Sequence, residues 1–204
     1  MLFIITFLVS IAVASAEPPN AIPISNPGFE TQVLAAGGSE QPIEGWETER
    51  PYEGDPAVVV YPSDSKGFLG ATNAQEETNV VLLPGTQLIR QVLPEVWKPN
   101  TTYKLTVSVT LAFSPGSSAM IGLAHGTAAL TTAGSLEIQN VVASEGALPE
   151  SEWQEVEVTF TTGKSDDFLG EPIVMFASNQ IFDLANNFLI DGFQLTASPI
   201  TKRP

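Results

Sequence analysis

The sequence predicts an all-β fold, a two-sheet antiparallel β-sandwich of the jelly-roll kind. Two long stretches alternate apolar and polar residues, shorter apolar runs are bounded by Pro- and Gly-containing turns, and no stretch carries a 3.6-residue apolar stripe. About nine short strands separated in this way are the pattern of a sandwich or barrel.

From the N-terminus, Met1 to Ala14 form an apolar run too short to cross a bilayer, followed by Ala14-Ser15-Ala16 and the polar Glu17-Pro18-Pro19. This reads as a secretory signal peptide over residues 1–16 with an A-x-A cleavage site, although its first residues carry no Lys or Arg. Residues 17–197 are expected to form one domain and 198–204 a frayed tail. Val33 to Ala36 reads as one helical turn at most.

The clearest strand runs from Thr101 to Phe113. Tyr103, Leu105, Val107, Val109, Leu111 and Phe113 share one face, and Lys104, Thr106, Ser108 and Thr110 the other. Trp153 to Thr161 repeats the pattern, with Val156, Val158 and Phe160 opposed to Glu155, Glu157 and Thr159, so each strand belongs to a sheet with one wet face. Shorter strands are expected over Ala57 to Tyr61, Asn79 to Leu83, Thr86 to Leu93, Ala119 to Ala124, Leu136 to Val142, Ile173 to Ala177 and Asn187 to Thr196.

There is no cysteine, which excludes a disulfide framework and thiolate chemistry. Eight basic residues against 23 acidic ones give a net charge of -15, which argues against nucleic acid and anionic membrane as partners. Excess carboxylate suits either solubility or calcium. The chain lacks a G-x-S-x-G elbow, a phosphate loop, a dinucleotide fingerprint and an H-E-x-x-H motif, and a single histidine, His125, cannot build a multi-histidine zinc site. In Ile121-Gly122-Leu123-Ala124-His125-Gly126 it reads as a strand-end residue.

Three segments carry more information: Asn26-Pro27-Gly28-Phe29-Glu30, Gly45-Trp46, and Phe188-Leu189-Ile190-Asp191-Gly192-Phe193-Gln194-Leu195. In order and spacing they resemble the carbohydrate-binding-module, or galactose-binding-like, β-sandwich superfamily. There an N-x-G-F-E segment precedes a G-W strand, and the last strand carries an aspartate. Gly192 stands where that family often has Asn. Within the superfamily the chain is most similar to the calcium-containing Stig cyclases, and it also resembles secreted fungal hetero-Diels-Alderases.

That resemblance implies a structural calcium ion held by Glu30 and Asp191, the first and last strands bringing two carboxylates together while backbone carbonyls complete the shell. It equally implies a proton-donating role for Asp191, and the two roles compete for one residue. The implied activity is cyclisation of a small hydrophobic or terpenoid substrate, by cycloaddition such as a hetero-Diels-Alder reaction or by rearrangement. Such a reaction needs no redox cofactor. Orientation in a shaped apolar cavity lowers the barrier by up to about 7 to 11 kcal/mol, and one acid assists.

Trp46, Tyr61 and Phe113 are the candidate walls of that cavity, with Tyr52, Trp97 and Trp153 as further aromatic residues able to pack or to stack on a ligand. Trp97, in Glu95-Val96-Trp97-Lys98-Pro99, reads as a loop tryptophan and is expected to be exposed. The rival reading is a secreted, non-catalytic carbohydrate-binding module or lectin with a glycan ligand, which requires exposed aromatics on a concave face. Asn100-Thr101-Thr102 is an N-glycosylation sequon. The sequence is compatible with a homodimer.

Overall fold

A computed structural model describes residues 19–31, 42–49, 58–62, 78–85, 87–112, 119–126, 138, 140–147, 152–179 and 187–200. The expectations for the signal peptide, the Val33–Ala36 turn, Tyr52, Phe113 and residues 201–204 lie outside the described residues.

Eleven strands are described: β1 (Asn20–Ile22), β2 (Glu47–Glu49), β3 (Val59–Pro62), β4 (Asn79–Leu83), β5 (Leu88–Val96), β6 (Thr101–Leu111), β7 (Ala119–His125), β8 (Val141–Ala147), β9 (Gln154–Thr161), β10 (Pro172–Asn179) and β11 (Phe188–Pro199). They form two antiparallel sheets, as expected. Sheet A has the order β3-β4-β11-β6-β9, with β1 alongside the far end of β11, and sheet B has the order β2-β5-β10-β7-β8. No helix among the described residues is long and apolar enough to cross a membrane.

The inward faces follow the period-2 rule. Tyr103, Leu105, Val107 and Val109 of β6 and Val156 and Val158 of β9 meet Ile89 and Leu93 of β5, Ile121 and Leu123 of β7 and Ile173, Met175 and Ala177 of β10 in one core. Against the nine expected strands, β1 and β2 are additions, and at three residues each they are too short to show a period. β8 lies further along the chain than the expected Leu136–Val142, because this exposed strand of Ser144, Glu145 and Gly146 is held by pairing with β7 rather than by an apolar pattern. β11 also runs further: Ser198 and Pro199 pair with Thr102 and Thr101, so the sheet claims the first residues assigned to the tail.

Two irregularities shape the sheets. In β5, four steps from Val96 to Val92 face two from Pro172 to Val174, and the bulge accommodates Pro94, which has no N–H to give the ladder. In β11, three steps from Asp191 to Gln194 face two from Ser108 to Thr106. Gly192, at φ +64, takes the left-handed conformation that this extra residue requires. The bulge reverses the strand's parity. Phe188 and Ile190 point into the core before it, and Phe193 and Leu195 after it.

Candidate functional site

The three informative segments meet. Asn26, at φ +49, turns the chain so that the Phe29 N–H reaches its carbonyl at 3.2 Å. The same carbonyl accepts the Trp46 indole N–H at 3.0 Å, while the Asn26 side chain donates to the Glu44 carbonyl at 3.2 Å and accepts from Thr31 N–H at 3.1 Å. Phe193 N–H bonds to the Pro27 carbonyl at 3.2 Å. The rings of Phe29, Trp46 and Phe193 then pack together, with Trp46 at 5.3 Å from Phe29 and 4.6 Å from Phe193. Gln91 of β5 closes the arrangement: its Oε1 accepts Ser25 N–H at 2.8 Å, and its Nε2 donates to the Ser25 and Gly45 carbonyls at 2.8 and 2.9 Å.

This clip ties the N-terminal segment to both sheets, and it corrects one expectation. Trp46 is enclosed by two rings, its N–H is satisfied and it is only 6% exposed, so it is core rather than a cavity wall. Trp97 is corrected likewise. It is 1% exposed because its segment folds over the end of the sandwich, its ring meeting Tyr103, Phe160 and Phe168 and its indole N–H reaching the Ala124 carbonyl at 3.3 Å. His125 does end β7, and its Nδ1 lies 2.7 Å from Glu171 Oε2.

Glu30 leaves the clip and caps the start of β4. Its Oε1 accepts Thr78 N–H at 2.8 Å and Asn79 N–H at 2.7 Å, and its Oε2 accepts the Thr78 hydroxyl at 2.7 Å. Asp191 is completely buried, and its Oδ1 accepts Gly192 N–H at 2.7 Å.

The bulge places Asp191 away from the core. Before it, β11 alternates Phe188 and Ile190 inward with Leu189 and Asp191 outward, so Asp191 shares a face with Leu189 and not with Phe193 or Leu195. On this outer face Asp191 is opposite Ser108, Ser108 is opposite Glu155, and Tyr61 is opposite Val80. Since Ile190 pairs with Val81, Asp191 comes level with Val80, which puts Tyr61, Val80, Asp191, Ser108 and Glu155 in one row across sheet A. The next row holds Val59, Leu82, Leu189 and Thr110. Val80, Leu82, Ala112 and Leu189 form a buried apolar cluster, with the half-buried Tyr61 and Trp153 packed against it. Asp191 is therefore a buried carboxylate beside an apolar patch that has two aromatic residues at its margin. Of the expected wall residues, Tyr61 lies on this face; Phe113 lies outside the described residues.

The fit to calcium rests on the same geometry. Every candidate ligand atom is oxygen, as a hard cation prefers, and three of the roughly four acceptor positions of Glu30 are already taken by donors of Thr78 and Asn79 at the start of β4. Glu30 can offer one further position without giving up its cap. Among the described residues no group of three or more acidic or His side chains converges, so carbonyls would have to supply most of the shell. Two clefts lie elsewhere, along β1: one of about 140 Å³ between Ile22, Val96 and Tyr103, and one of about 270 Å³ beside Ile24 and Phe193.

With this geometry in place, comparison with known proteins is informative. The sequence matches the family HpiC1-like (HpiC1 cyclase) over residues 20–190. The chain belongs to the HpiC1-like cyclase family. A Stig cyclase, Fisc from Fischerella sp. TAU, solved with (3Z)-3-(1-methyl-2-pyrrolidinylidene)-3H-indole, superposes with a TM-score of 0.72 at 22% identity, covering 90% of this chain and 100% of that one. A cyclase from the same source, in complex with 4-(1H-indol-3-yl)butan-2-one, gives 0.71 at 22% identity, covering 89% and 99%. The CBM22-1 xylan-binding domain of Paenibacillus barcinonensis Xyn10C gives 0.53 at 13% identity, covering 92% and 100%. The sequence has no significant match among the curated proteins.

Of the site residues outside the sequence reading, Gln91 and Gln87 had a signal. Both fall in the inward register of Ile89 and Leu93, where a carboxamide must be partnered or costly.

Proposed function

We propose that this family member closes rings in a small hydrophobic, indole- or terpenoid-bearing substrate, by rearrangement or cycloaddition, at the outer face of sheet A. The observation that carries the reading is Asp191, wholly buried beside the apolar cluster of Val80, Leu82 and Leu189 and in one row with Tyr61. A buried carboxylate requires a partner, a metal or a proton. A protonated Asp191 is an acid held against apolar surface, which is what a substrate needs if a leaving group or a developing charge is to be protonated while its carbon skeleton is held in a reactive fold. The indole-bearing ligands of the two Fischerella cyclases support a substrate of this class. A glycan-binding role depends on exposed aromatic rings, and Trp46 and Trp97 are enclosed.

Glu30 and Asp191 are the residues that would hold a calcium ion, which would neutralise both carboxylates and fasten β11 to the N-terminal segment. Entry into the secretory pathway, removal of residues 1–16 and glycosylation at Asn100 belong to the same reading. Asn100 opens β6 at φ +48 with its side chain half-buried.

The test is Asp191→Asn, assayed for product formation with candidate indole-isoprenoid intermediates and for melting with and without a chelator. Ring closure should fall by at least 100-fold for an acid role. If chelator-dependent melting is lost while ring closure survives, Asp191 is a metal ligand instead. Unchanged values in both assays remove Asp191 from the site, and glycan retention on an array would replace the cyclase with a lectin.

A further inference from the structure

Gln91 of β5 and Gln87, the residue just before that strand, fall four residues apart in its inward register, and their surroundings differ completely. Gln91 makes three hydrogen bonds within the clip, whereas Gln87, 0% exposed, has no partner for either Nε2 or Oε1. A buried carboxamide with donor and acceptor both unpaired is among the least favourable groups a core can hold, and proteins retain such groups where something else completes them.

The position of Gln87 is well defined. Its carbonyl accepts Asn179 N–H at 3.0 Å, continuing the pairing of Leu88 with Ser178, and Asn179 is opposite Ala119 of β7. Asn179 Nδ2 reaches across to the Leu83 carbonyl of sheet A at 3.3 Å, so its own amide is committed to joining the sheets. Leu83 in turn pairs with Phe188. By this register Gln87 lies on the inward side of sheet B where β4, β10 and β11 come together, level with the uncharged residues Leu83, Ala119, Asn179 and Phe188. The same face carries Ala119 and Ala177, both fully buried and both short.

From this we infer that the sheet end at Gln87 is a second binding site, distinct from the outer face of sheet A, for a neutral and mostly apolar small molecule bearing an amide-like edge. The chemistry selects the ligand. A carboxamide presents a donor and an acceptor side by side, and a lactam or secondary cis-amide answers both with its own C=O and N–H. A charged ligand has no counter-charge among the residues just named, and a hydrocarbon would leave the amide unpaired. An internal water is the competing occupant. The two differ in what the bare protein loses when the amide is removed. A structural water makes Gln87 stabilising, whereas a ligand anchor is retained at a stability cost that an apolar residue of similar shape relieves.

The experiment uses the purified protein, 15N-labelled, titrated with 2-pyrrolidone while the backbone amide resonances of Leu88 and Asn179, present in wild type and in every variant, are followed. The expected result is a saturable shift in wild type, weakened at least tenfold in Gln87→Leu and Gln87→Met, with melting midpoints in the absence of lactam equal to or above wild type. Three results would overturn the inference: no saturable shift in wild type, unchanged affinity in Gln87→Met, or a Gln87→Met midpoint several degrees lower. If Gln87→Leu packs badly, the longer Met variant and the wild-type titration still decide. Asp191→Asn should leave lactam binding intact, so the site stands or falls independently of the cyclase reading.

Discussion

The two ends of β5 are finished in opposite ways. At Val96 the strand runs into Trp97, whose backbone bonds to Glu171 and Gly170, whose indole N–H is satisfied and whose ring sits among Tyr103, Phe160 and Phe168. The neighbouring Tyr103 hydroxyl accepts Lys98 N–H at 2.7 Å. At Leu88 the strand begins beside Gln87, buried and unpaired. One end is completed by the chain itself, and the other leaves a recognition edge level with the uncharged Leu83, Ala119 and Phe188 among the described residues. Stability and binding are thus separated along a single strand.

The contrast can be broken most forcefully at the Trp97 end. Trp97→Ala empties a fully buried aromatic site and should cost about 3 to 5 kcal/mol in urea unfolding; a loss under about 1 kcal/mol would show that this end is not what holds the sandwich. Gln91→Leu comes next. It strands Ser25 N–H and two carbonyls, each of which costs about 1 to 3 kcal/mol if water cannot reach it. The same substitution at Gln87 should cost nothing, and equal losses at the two positions would erase the distinction.

Tyr103→Phe sharpens the comparison through pH. Burial, the dominant cause, holds the Tyr103 phenol above the usual range despite the opposing Lys98 contacts. A group whose folded value is raised gives stability that is complete below its unfolded value, near about 10, and lost as pH rises through the folded one. Wild type should therefore lose stability above that pH. Tyr103→Phe should melt lower at neutral pH, by the loss of one hydrogen bond worth about 1 kcal/mol, yet show a flatter alkaline limb. Parallel limbs would point to a different titrating group.

The smallest effect belongs to the exposed Lys104–Glu157 pair across β6 and β9. The hydrogen bond between them lowers Glu157 and raises Lys104. Any contribution is present above the ordinary Glu range and disappears as pH falls through the lowered value, and on the alkaline side it is lost as pH rises through the raised lysine. Glu157→Gln should leave the melting midpoint at neutral pH and moderate salt within error.

Much of the fold was legible because β6 and β9 each expose one face, so alternation alone gives their register, and the N-x-G-F-E, G-W and D-G-F segments announce the family. The face of Asp191 was not legible in the same way. Counting by twos from Leu189 puts Asp191 with Phe193 and Leu195, and only the bulge breaks that count. Gly192 was its visible trace, since a lone glycine within a strand marks a bulge. Trp97 misled because its burial depends on Phe160, Phe168 and Ala124, far away in sequence. β1 and β2 exist because partners in β11 and β5 hold them, and three residues contain no pattern from which to infer that.

The pairing of β1 with β11 has a topological consequence. Asn20 is opposite Ala197 and Ile22 opposite Leu195, so β11 ends beside the point where β1 begins, in the relation that two strands of a hairpin would have. The order of strands is therefore effectively cyclic, and a short hairpin loop joining Pro199 to Asn20 would complete the ring without moving either strand. The chain could then be opened at another surface turn, such as the one between Gly163 and Asp166, with every strand pairing retained.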